Sequence, residues 1–476
     1  MSACADDEVG SASTPQADGG GRRLQSVVIV TNADFDQRAN DRDRLPYYRP
    51  PGGRLALVYK TVNHSGRWLD MLRDAVTLRV REREASGIRL IAVDPPFNYR
   101  GGIRFNAEAG ATTGTTAGGR LRLAVIRVLA PLSVLRDVFL SPALAWVGMR
   151  RLRGRWDVCI GVGPWGSLAG IVLRLLGRAR ILVYRDRDYE PGLVPDRLRR
   201  AYTAWLERVL VRRADVVISS GRLLAELRRA QGARAVHVVP NGVEWTRFAP
   251  ARARTERPGP VVVYVGLLVP WSGLELAIDA LAEIRARVPG ATLRVIGSGP
   301  PAYEARLRAH IARLGLDDAV ELEGTRAPDE IPALLAGARV ALANSEPIEY
   351  RRYACPLKIA EYMAAGVPVV VTAGTEAEAM VEHHGAGLAV PYESAALREA
   401  LEALLVDDAL HARLSAAGVR ASADLTWEGL IARELELAQQ CLGGHAEPGD
   451  GADVARPPVV NEPSADDPAL PHSGTR

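Results

Sequence analysis

Short runs of β-branched and other apolar residues alternate along the chain with longer segments whose apolar positions recur every three or four residues. The first three runs are SVVIVT at 26–31, LALVY at 55–59 and RLIAVD at 89–94. Such runs predict buried strands, and the longer segments, of which 68–83 is the first, predict helices that pack on them. An alternation of this kind predicts parallel sheets joined by right-handed crossovers.

The same alternation continues through the second half of the chain. Strands are predicted at 261–265, 292–296, 319–323, 340–344 and 367–371, each followed by a helical segment. A length of 476 residues allows two domains of about 200 residues each. The predicted fold class is therefore α/β, with two doubly wound Rossmann-like domains.

The segments outside the alternation define the predicted domain limits. Residues 1–23 and 443–476 are acidic and rich in small residues or proline, which predicts disordered tails. The stretch TRFAPARARTERPG at 246–259 is polar and contains proline, which is typical of a linker. The remaining predicted units are two domains and a final helix, at 24–245, 260–425 and 426–442.

The stretch EYRRYACPLKIAEYMAAG at 349–366 carries the clearest candidate chemistry. Pro356 is predicted to start a helix, because its fixed φ suits the first turn and its missing N–H would be unsatisfied there. Gly366 is predicted to end that helix with a left-handed cap. The free N–H groups at the helix start would bind an anion such as phosphate, with Lys358 and Glu361 near the same end.

Lysine usage supports the same position. Among 60 Lys and Arg residues, only Lys60 and Lys358 are lysines. A compact ammonium enters a narrow phosphate site that a planar guanidinium does not fit. Lys358 is therefore a candidate phosphate ligand, and a solvated helix face that kept a lysine by chance is the alternative interpretation.

Four segments resemble the GT-B-type retaining glycosyltransferases that use sugar nucleotides, the large group called family 4 glycosyltransferases. They are VVPNGVEWTRF at 238–248, VVVYVGLLVPWSGLELAIDAL at 261–281, LRVIGSGP at 293–300 and CPLKIAEYMAAGVPVVV at 355–371. The N-terminal half matches in its rhythm of elements and in ADVVISSG at 214–221. The resemblance implies two domains facing a cleft, a final helix crossing back onto the first domain, a nucleoside-diphosphate sugar as donor, retention of configuration and no obligatory metal.

The resemblance also implies roles for single residues. Glu361 stands where a glutamate of the family binds the nucleotide ribose, and Tyr353 stands where another glutamate contacts the donor sugar. Lys358, at the helix start, would neutralise the diphosphate. The other positions implied for the donor are strand-end glycines with their neighbour and the segment before the helix, namely Gly266, Gly297, Ser298, Gly299, Ala354, Cys355, Pro356 and Leu357.

The chain departs from the family pattern at several further positions. Leu267 and Ser272 replace an arginine and a lysine that hold the diphosphate, and GPWG at 163–166 replaces a turn that often carries a histidine. Arg351 and Arg352 are nearby cations that could compensate. The lost charges favour a non-catalytic GT-B scaffold or partner subunit as the alternative to an enzyme, and a sugar-nucleotide epimerase is a third interpretation.

Carboxylates after predicted strands of the N-terminal half are candidates for the acceptor side. Asp34 and Asp36 follow the first strand, and Asp186 and Asp188 follow a later one. Ligands of open α/β sheets bind outside the carboxyl ends of the strands. Solvated loop charges or caps of the next turn are the alternatives, and His64 is either a base of this half or a loop histidine.

Charge and cysteine content narrow the function classes. The net charge of +4 is too small to indicate nucleic-acid binding, and no nucleic-acid-reading motif is present. The four cysteines form no CxxC pair and no metal-ligand spacing with the histidines, which predicts a reducing compartment and no metal site. The first residues lack a basic segment followed by an apolar one, so no signal peptide is expected and the predicted localisation is cytoplasmic.

The segment 120–155 combines apolar residues with many arginines, including Arg150, Arg151, Arg153 and Arg155. No uncharged run in it reaches the roughly 18 residues of a membrane-spanning helix. A basic, apolar helix pair of this kind would lie in an interface and face anionic lipid, which predicts peripheral attachment to the inner face of the plasma membrane. Ordinary core helices with outward arginines are the alternative.

Overall fold

The computed structural model describes residues 23–33, 43–61, 77–95, 133–194, 197–254 and 259–444. These residues form two α/β units, each built on its own sheet. The first sheet has the strand order β3-β4-β2-β1-β5-β6-β7-β8, and only β3 runs antiparallel to its neighbour. Its strands are β1 Ser26–Thr31, β2 Arg54–Lys60, β3 Arg79–Ala85, β4 Ile88–Asp94, β5 Trp156–Val162, β6 Ala179–Asp186, β7 Val216–Ser219 and β8 Val236–Val238.

Helices cover both faces of this sheet. On one face, buried residues such as Leu144, Ala169 and Leu210 join the sheet in a single core. The helices of the first unit are α1 Ser133–Arg151, α2 Gly163–Leu175, α3 Glu190–Leu193, α4 Arg197–Arg213 and α5 Arg222–Ala230, with a 3-10 turn at Leu45–Tyr48.

The end of the helix predicted at 68–83 is wrong, because residues 79–85 form strand β3. Ser86 and Gly87, with φ values of 52° and 70°, make a tight turn that returns the chain into β4. The side chains of β3 are mostly exposed arginines and glutamates, which suits an edge strand that must not pair further. Residues 68–76 lie outside the described residues.

The second sheet is entirely parallel, in the order β11-β10-β9-β12-β13-β14. This is the Rossmann order 3-2-1-4-5-6, so the predicted fold class of two doubly wound domains is confirmed. Its strands are β9 Val261–Val265, β10 Thr292–Ile296, β11 Val320–Gly324, β12 Val340–Ala343, β13 Val369–Thr372 and β14 Gly387–Val390. Its helices are α7 Leu274–Ile284, α8 Pro301–Arg313, α9 Ile331–Ala336, α10 Glu349–Tyr353, α11 Leu357–Ala364, α12 Glu376–His384, α13 Ser394–Val406 and α14 Asp408–Ala423.

The stretch predicted as a polar linker is folded over most of its described length. A 3-10 turn at Trp245–Phe248 runs into the short helix α6 Ala249–Arg252. Phe248 is buried, and the Arg252 guanidinium donates to the carbonyl oxygens of Trp245 and Ala364 at 2.9 Å each. These contacts hold the turn against the second unit, which a pattern of polar residues alone does not reveal.

A last helix, α15 Trp427–Leu442, returns to the first unit. Ile431 and Ala438 lie in a core with Val27, Ile29 and other residues of the first sheet. The buried Glu434 carboxylate pairs with Arg185 at 2.7 Å on β6. The helix therefore covers the face of the first sheet opposite α1, α2 and α4.

Candidate functional site

Helix α11 lies at the centre of the candidate site. It begins at Leu357, one residue later than predicted, and Pro356 is its extended N-cap residue. The reason is a break after α10, where Ala354 is also extended. Gly366, with φ 75°, confirms the predicted left-handed cap.

Lys358 projects from the first turn of α11 towards the end of β9. Its Nζ lies 3.8 Å from the ring centroid of Tyr264. A Cβ added to Gly266 would lie 3.3 Å from the same Nζ, so the ammonium and this glycine are neighbours. Burial, followed by repulsion from Arg351, lowers the pKa of Lys358 to about 7, against attraction by Glu361. Such an amine would gain its proton more readily beside an anion.

Glu361 lies one turn further along α11 and borders a cleft of about 330 Å³ on the second unit. Burial raises the pKa of Glu361, while Arg247, Arg44 and Lys358 oppose that rise. We call the cleft that Glu361 borders the glycine cleft. It is lined by Arg247, Phe248, Val265, Gly266, Leu267, Ile296, Gly297, Ser298, Thr325, Arg326, Pro328, Ile331 and Glu361.

The structure thus brings Gly266, Gly297, Ser298 and Glu361 together in one cleft. A Cβ at Gly297 would overlap the carbonyl oxygen of Gly266, and both residues have positive φ. Glycine is therefore required there by the backbone as well as by any ligand. A Cβ at Gly299 would overlap the Leu268 carbonyl oxygen, so Gly299 serves packing in the same way.

The positive charges of the glycine cleft come from residues that the sequence did not single out. Arg247 lies within the 3-10 turn between the two units, and its Nε lies 3.6 Å from Asp329 Oδ1. Arg326 follows β11 and pairs with Glu323 at 3.0 Å. The sequence signal was weak, because 58 other Lys and Arg residues offered the same charge. Leu267 lines the cleft with 59% exposure, whereas Ser272 is buried.

Arg351 and Arg352, the predicted compensating cations, lie on α10 beside tyrosines. The Arg351 guanidinium carbon is 5.4 Å from the Tyr350 ring centroid, and the Arg352 guanidinium carbon is 5.9 Å from that of Tyr353. Arg351 acts on Lys358 electrostatically, and its buried Nε finds no hydrogen-bond acceptor among the described residues. Arg351 is thus the better placed of the two.

The segment predicted to line the donor sugar lies against the first unit. The ring centroids of Tyr353 and Tyr189 are 5.1 Å apart. Ala354 and Cys355 are buried, and the Cys355 carbonyl accepts from Asn241 Nδ2 at 2.7 Å. Burial raises the pKa of the Cys355 thiol to about 12, so this cysteine stays a neutral packing residue.

The prediction that Asp186 faces an acceptor is wrong. Asp186 is completely buried and binds the Arg228 guanidinium through two hydrogen bonds of 2.7 and 3.0 Å. Arg228 also donates to the buried Glu207 at 2.8 Å, so Asp186 belongs to an internal charge network. Its sequence position beside Asp188 gave no sign of this, because Arg228 is 42 residues away.

Asp188 lies where the two units meet. It accepts from Tyr350 Oη of α10 at 3.2 Å, and burial raises its pKa. Asp34, Asp36 and His64 lie outside the described residues. Of the two predicted acceptor carboxylates that lie among the described residues, Asp188 is therefore the one that lies beside the segment of Tyr353.

The described part of 120–155 matches the alternative of a core helix. Leu140, Leu144 and Val147 of α1 are buried in the core of the first unit, and Arg150 and Arg151 point outward. No described helix is both long and apolar enough to cross a membrane. The described residues also contain no group of three or more His, Cys, Asp or Glu that could hold a metal ion.

Two family descriptions match this chain. Residues 16–242 match "Glycosyl transferase 4-like domain", and residues 259–407 match "Glycosyl transferases group 1". The two matched regions contain the first and the second sheet, respectively.

Two relatives in sequence also carry the names of glycosyltransferases. The chain is 32% identical over 308 residues to a GDP-mannose-dependent alpha-(1-6)-phosphatidylinositol monomannoside mannosyltransferase of Mycobacterium tuberculosis, covering 60% of this chain and 77% of that protein. It is 31% identical to a 2-deoxystreptamine glucosyltransferase of Streptomyces kanamyceticus, over 46% of this chain and 60% of that protein. The chain therefore spans about three-fifths of the length of this second relative.

Solved structures share the fold at low identity. Sucrose-phosphate synthase of Thermosynechococcus elongatus has a TM-score of 0.63 at 18% identity, over 88% of this chain and 100% of that chain. Anabaena Alr3699/HepE in complex with UDP has a TM-score of 0.59 at 18% identity, over 87% and 99%. At this identity the likeness shows the two-domain fold.

Proposed function

This chain belongs to the group 1 glycosyltransferases, and we propose that it transfers a hexosyl group from a nucleoside-diphosphate sugar to a glycan, lipid-linked or small-molecule acceptor, with retention. The observation that carries the proposal is the start of α11, where Lys358 and Glu361 meet the glycines at the ends of β9 and β10. An amide-rich helix start, a cation and close backbone approach are what a diphosphate and a ribose require.

We propose a division of labour along α11. Glu361 would bind the ribose hydroxyls, and residues 356–358 would neutralise the diphosphate as negative charge develops on the leaving group. Tyr353 and its two successors would border the donor sugar. Because the chain's own cations supply the charge, the proposal requires no obligatory metal.

Arg247 and Arg326 would supply part of the charge that Leu267 and Ser272 lack. Both line the glycine cleft together with Glu361. A guanidinium binds phosphate oxygens through two parallel N–H groups, so either residue would replace a lost cation from a different part of the fold.

The two units would divide the substrates. The second, within 260–425, would bind the donor, and the first, within 24–245, would bind the acceptor at the ends of its strands, near Asp188. One relative is named for GDP-mannose and phosphatidylinositol monomannoside, and one structural neighbour contains UDP. We propose a cytoplasmic enzyme of envelope glycan synthesis, peripheral on the inner face of the plasma membrane.

A specific observation favours the second candidate, a non-catalytic nucleotide-binding scaffold. Leu267 presents an apolar side chain to the glycine cleft at the position where the family carries an arginine. A scaffold would bind the nucleotide without turning over the sugar.

Calorimetric titration with uridine, guanosine and adenosine diphosphates tests the donor site. One diphosphate is expected to bind saturably, and Glu361→Ala should weaken it at least about tenfold, equal to about 1.4 kcal/mol. Glu399→Ala on α13 is the matched control, because Glu399 is exposed, lies on a different helix from Glu361 and pairs with Arg398 at 3.0 Å.

A second measurement, the release of nucleoside diphosphate, distinguishes the two candidate functions. Release of nucleoside diphosphate from a bound sugar nucleotide, in the presence of acceptor extracts, supports transfer. Binding without release supports the scaffold. A folded protein that binds none of the three diphosphates would contradict both.

A further inference from the structure

We infer that the outward face of α4, with the adjoining end of α2, docks onto an anionic phospholipid bilayer. The inference rests on the peripheral attachment proposed above and deepens it by naming the surface. It does not depend on glycosyl transfer. We therefore assign the membrane attachment to α4 and α2 and not to 120–155, because the described side chains of α1, which lies in that segment, are largely buried in the core.

Helix α4 exposes apolar residues along one outward stripe. Leu198, Tyr202 and Trp205 follow one another at i, i+4 and i+7, with exposures of 80%, 42% and 58%. Residues at this spacing share one face of a helix. The opposite face of α4 packs against the core of the first unit, where Leu206 and Leu210 are buried. The exposed stripe is therefore not needed for packing within the described chain.

Helix α2 lies beside α4 and extends this surface. The Trp165 ring centroid lies 6.3 Å from that of Tyr202, near the start of both helices. At their ends, Arg174 of α2 donates to the Arg213 carbonyl at 3.1 Å. The next residue, Leu175, is 81% exposed. Seven of the twelve large hydrophobic residues that are exposed in the described chain fall between residues 146 and 205.

The outward charges of α2 and α4 themselves are positive, and neighbouring carboxylates pair with two of them, Asp215 with Arg174 at 2.8 Å and Glu349 with Arg200 at 3.9 Å. Helix α4 contains six arginines and one acidic residue, Glu207. Glu207 is completely buried and bound to Arg228, so every exposed charge of α4 is positive. Helix α2 adds Arg174 and no acidic residue. We call this combined face the Arg-aromatic face.

A bilayer fits the Arg-aromatic face better than a second copy of the chain. A two-fold dimer through this face would bring arginines against arginines, which is unfavourable. Aromatic rings and arginines are the residues that settle at a membrane interface, where the ring meets the headgroup level and the guanidinium meets anionic lipid. Trp146 on α1, with the Arg150 guanidinium carbon 5.2 Å from its ring centroid, repeats the same pairing.

Vesicle flotation of the full chain tests the inference. Wild type is expected to float with an equal mixture of phosphatidylcholine and phosphatidylglycerol, to stay unbound with phosphatidylcholine alone, and to detach as salt is raised. The triple change Leu198→Ser, Tyr202→Ser, Trp205→Ser should lower the partition coefficient about tenfold or more. The triple change Arg197→Gln, Arg208→Gln, Arg213→Gln should do the same.

Matched controls lie on the second unit. Val406→Ser removes an apolar residue that is 59% exposed on α13, and Arg413→Gln with Arg420→Gln removes exposed charges from α14. Both controls should float like wild type. The two triple variants should keep wild-type thermal midpoints, because their side chains contribute little to the core.

Three results would overturn the inference: flotation of both triple variants like wild type, equal binding of wild type to uncharged vesicles, or a wild-type dimer that either triple variant converts to a monomer in light scattering. Nucleoside-diphosphate titration of the same proteins keeps the two proposals apart. Wild type that floats but binds no nucleotide would end the transfer proposal and leave the docking surface intact. Nucleotide binding without flotation would do the reverse.

Discussion

Lys358 shows how a single side chain takes its properties from its surroundings. Its ammonium lies against the ring of Tyr264, near Arg351, and its pKa falls to about 7. A guanidinium would stay charged in the same place and would demand more room. This difference explains the use of a lysine in a chain whose cations are otherwise almost all arginines.

Diphosphate binding should therefore depend on pH through Lys358. A bound diphosphate stabilises the ammonium, so affinity should be constant below about 7 and fall by up to about tenfold per pH unit above it. Lys358→Met should remove this slope in calorimetric titrations across the pH range. The ionisation of the ligand itself cancels in the comparison with wild type.

Lys60→Met is the control for that experiment, since Lys60 ends β2 of the first unit. It should keep the wild-type slope. If wild type and Lys358→Met lost affinity with the same slope, Lys358 would not be the group whose proton is linked to binding.

Helix α5 depends on a residue of the other unit. Its N-cap residue is Gly221, which has no side chain to accept from the first amides. The Glu376 carboxylate of α12 accepts from the backbone N–H groups of Arg222 and Leu223, at 2.8 Å each. A Cβ on Gly221 would overlap this carboxylate, so the glycine makes room for it.

Glu376→Ala should lower the free energy of unfolding by about 1–2 kcal/mol, because two helix-start amides lose their acceptor. Urea unfolding gives this value, and hydrogen exchange should show faster opening of the first turn of α5. Glu382→Ala, exposed on the same helix α12, should stay within about 0.5 kcal/mol of wild type. Equal stabilities of the two variants would show that the cross-unit cap contributes nothing.

At the scale of the whole molecule, α15 holds the two units together. It follows the second unit in sequence and packs on the first sheet. The indole of Trp427 is buried at its start, with the Arg44 guanidinium carbon 3.6 Å from the ring centroid. A further link joins Val243 to Thr426 as a parallel bridge. Unfolding of one unit should therefore weaken the other.

Trp427→Ala should lower the free energy of unfolding by about 3–5 kcal/mol, the usual cost of emptying a buried tryptophan site. Urea unfolding followed by far-ultraviolet circular dichroism measures it. Trp205→Ala is the matched control, because that indole is 58% exposed and should cost little. Similar losses for both would mean that Trp205 is packed and would also count against the Arg-aromatic face.

The local pattern of the chain determined most of its elements. Apolar runs such as 26–31 and 261–265 form strands because a short, continuous run of β-branched residues is typical of a strand that is buried on both faces. Gly366 ends its helix because a left-handed residue is needed there. The order of these elements also determined the parallel pairing of the two sheets, apart from the antiparallel edge strand β3. The helix start with Lys358 and Glu361 followed from the same local signals.

Only the tertiary structure decided which distant side chains meet. Asp186 is neutralised by Arg228, α5 is capped by Glu376 from 154 residues away, and Arg247 reaches the cleft of Glu361. Periodicity describes which face of an element is buried and says nothing about the partner across a domain boundary. The partner of a side chain depends on how folded elements face each other. A pair of opposite charges from distant parts of the chain leaves no periodic pattern in the sequence.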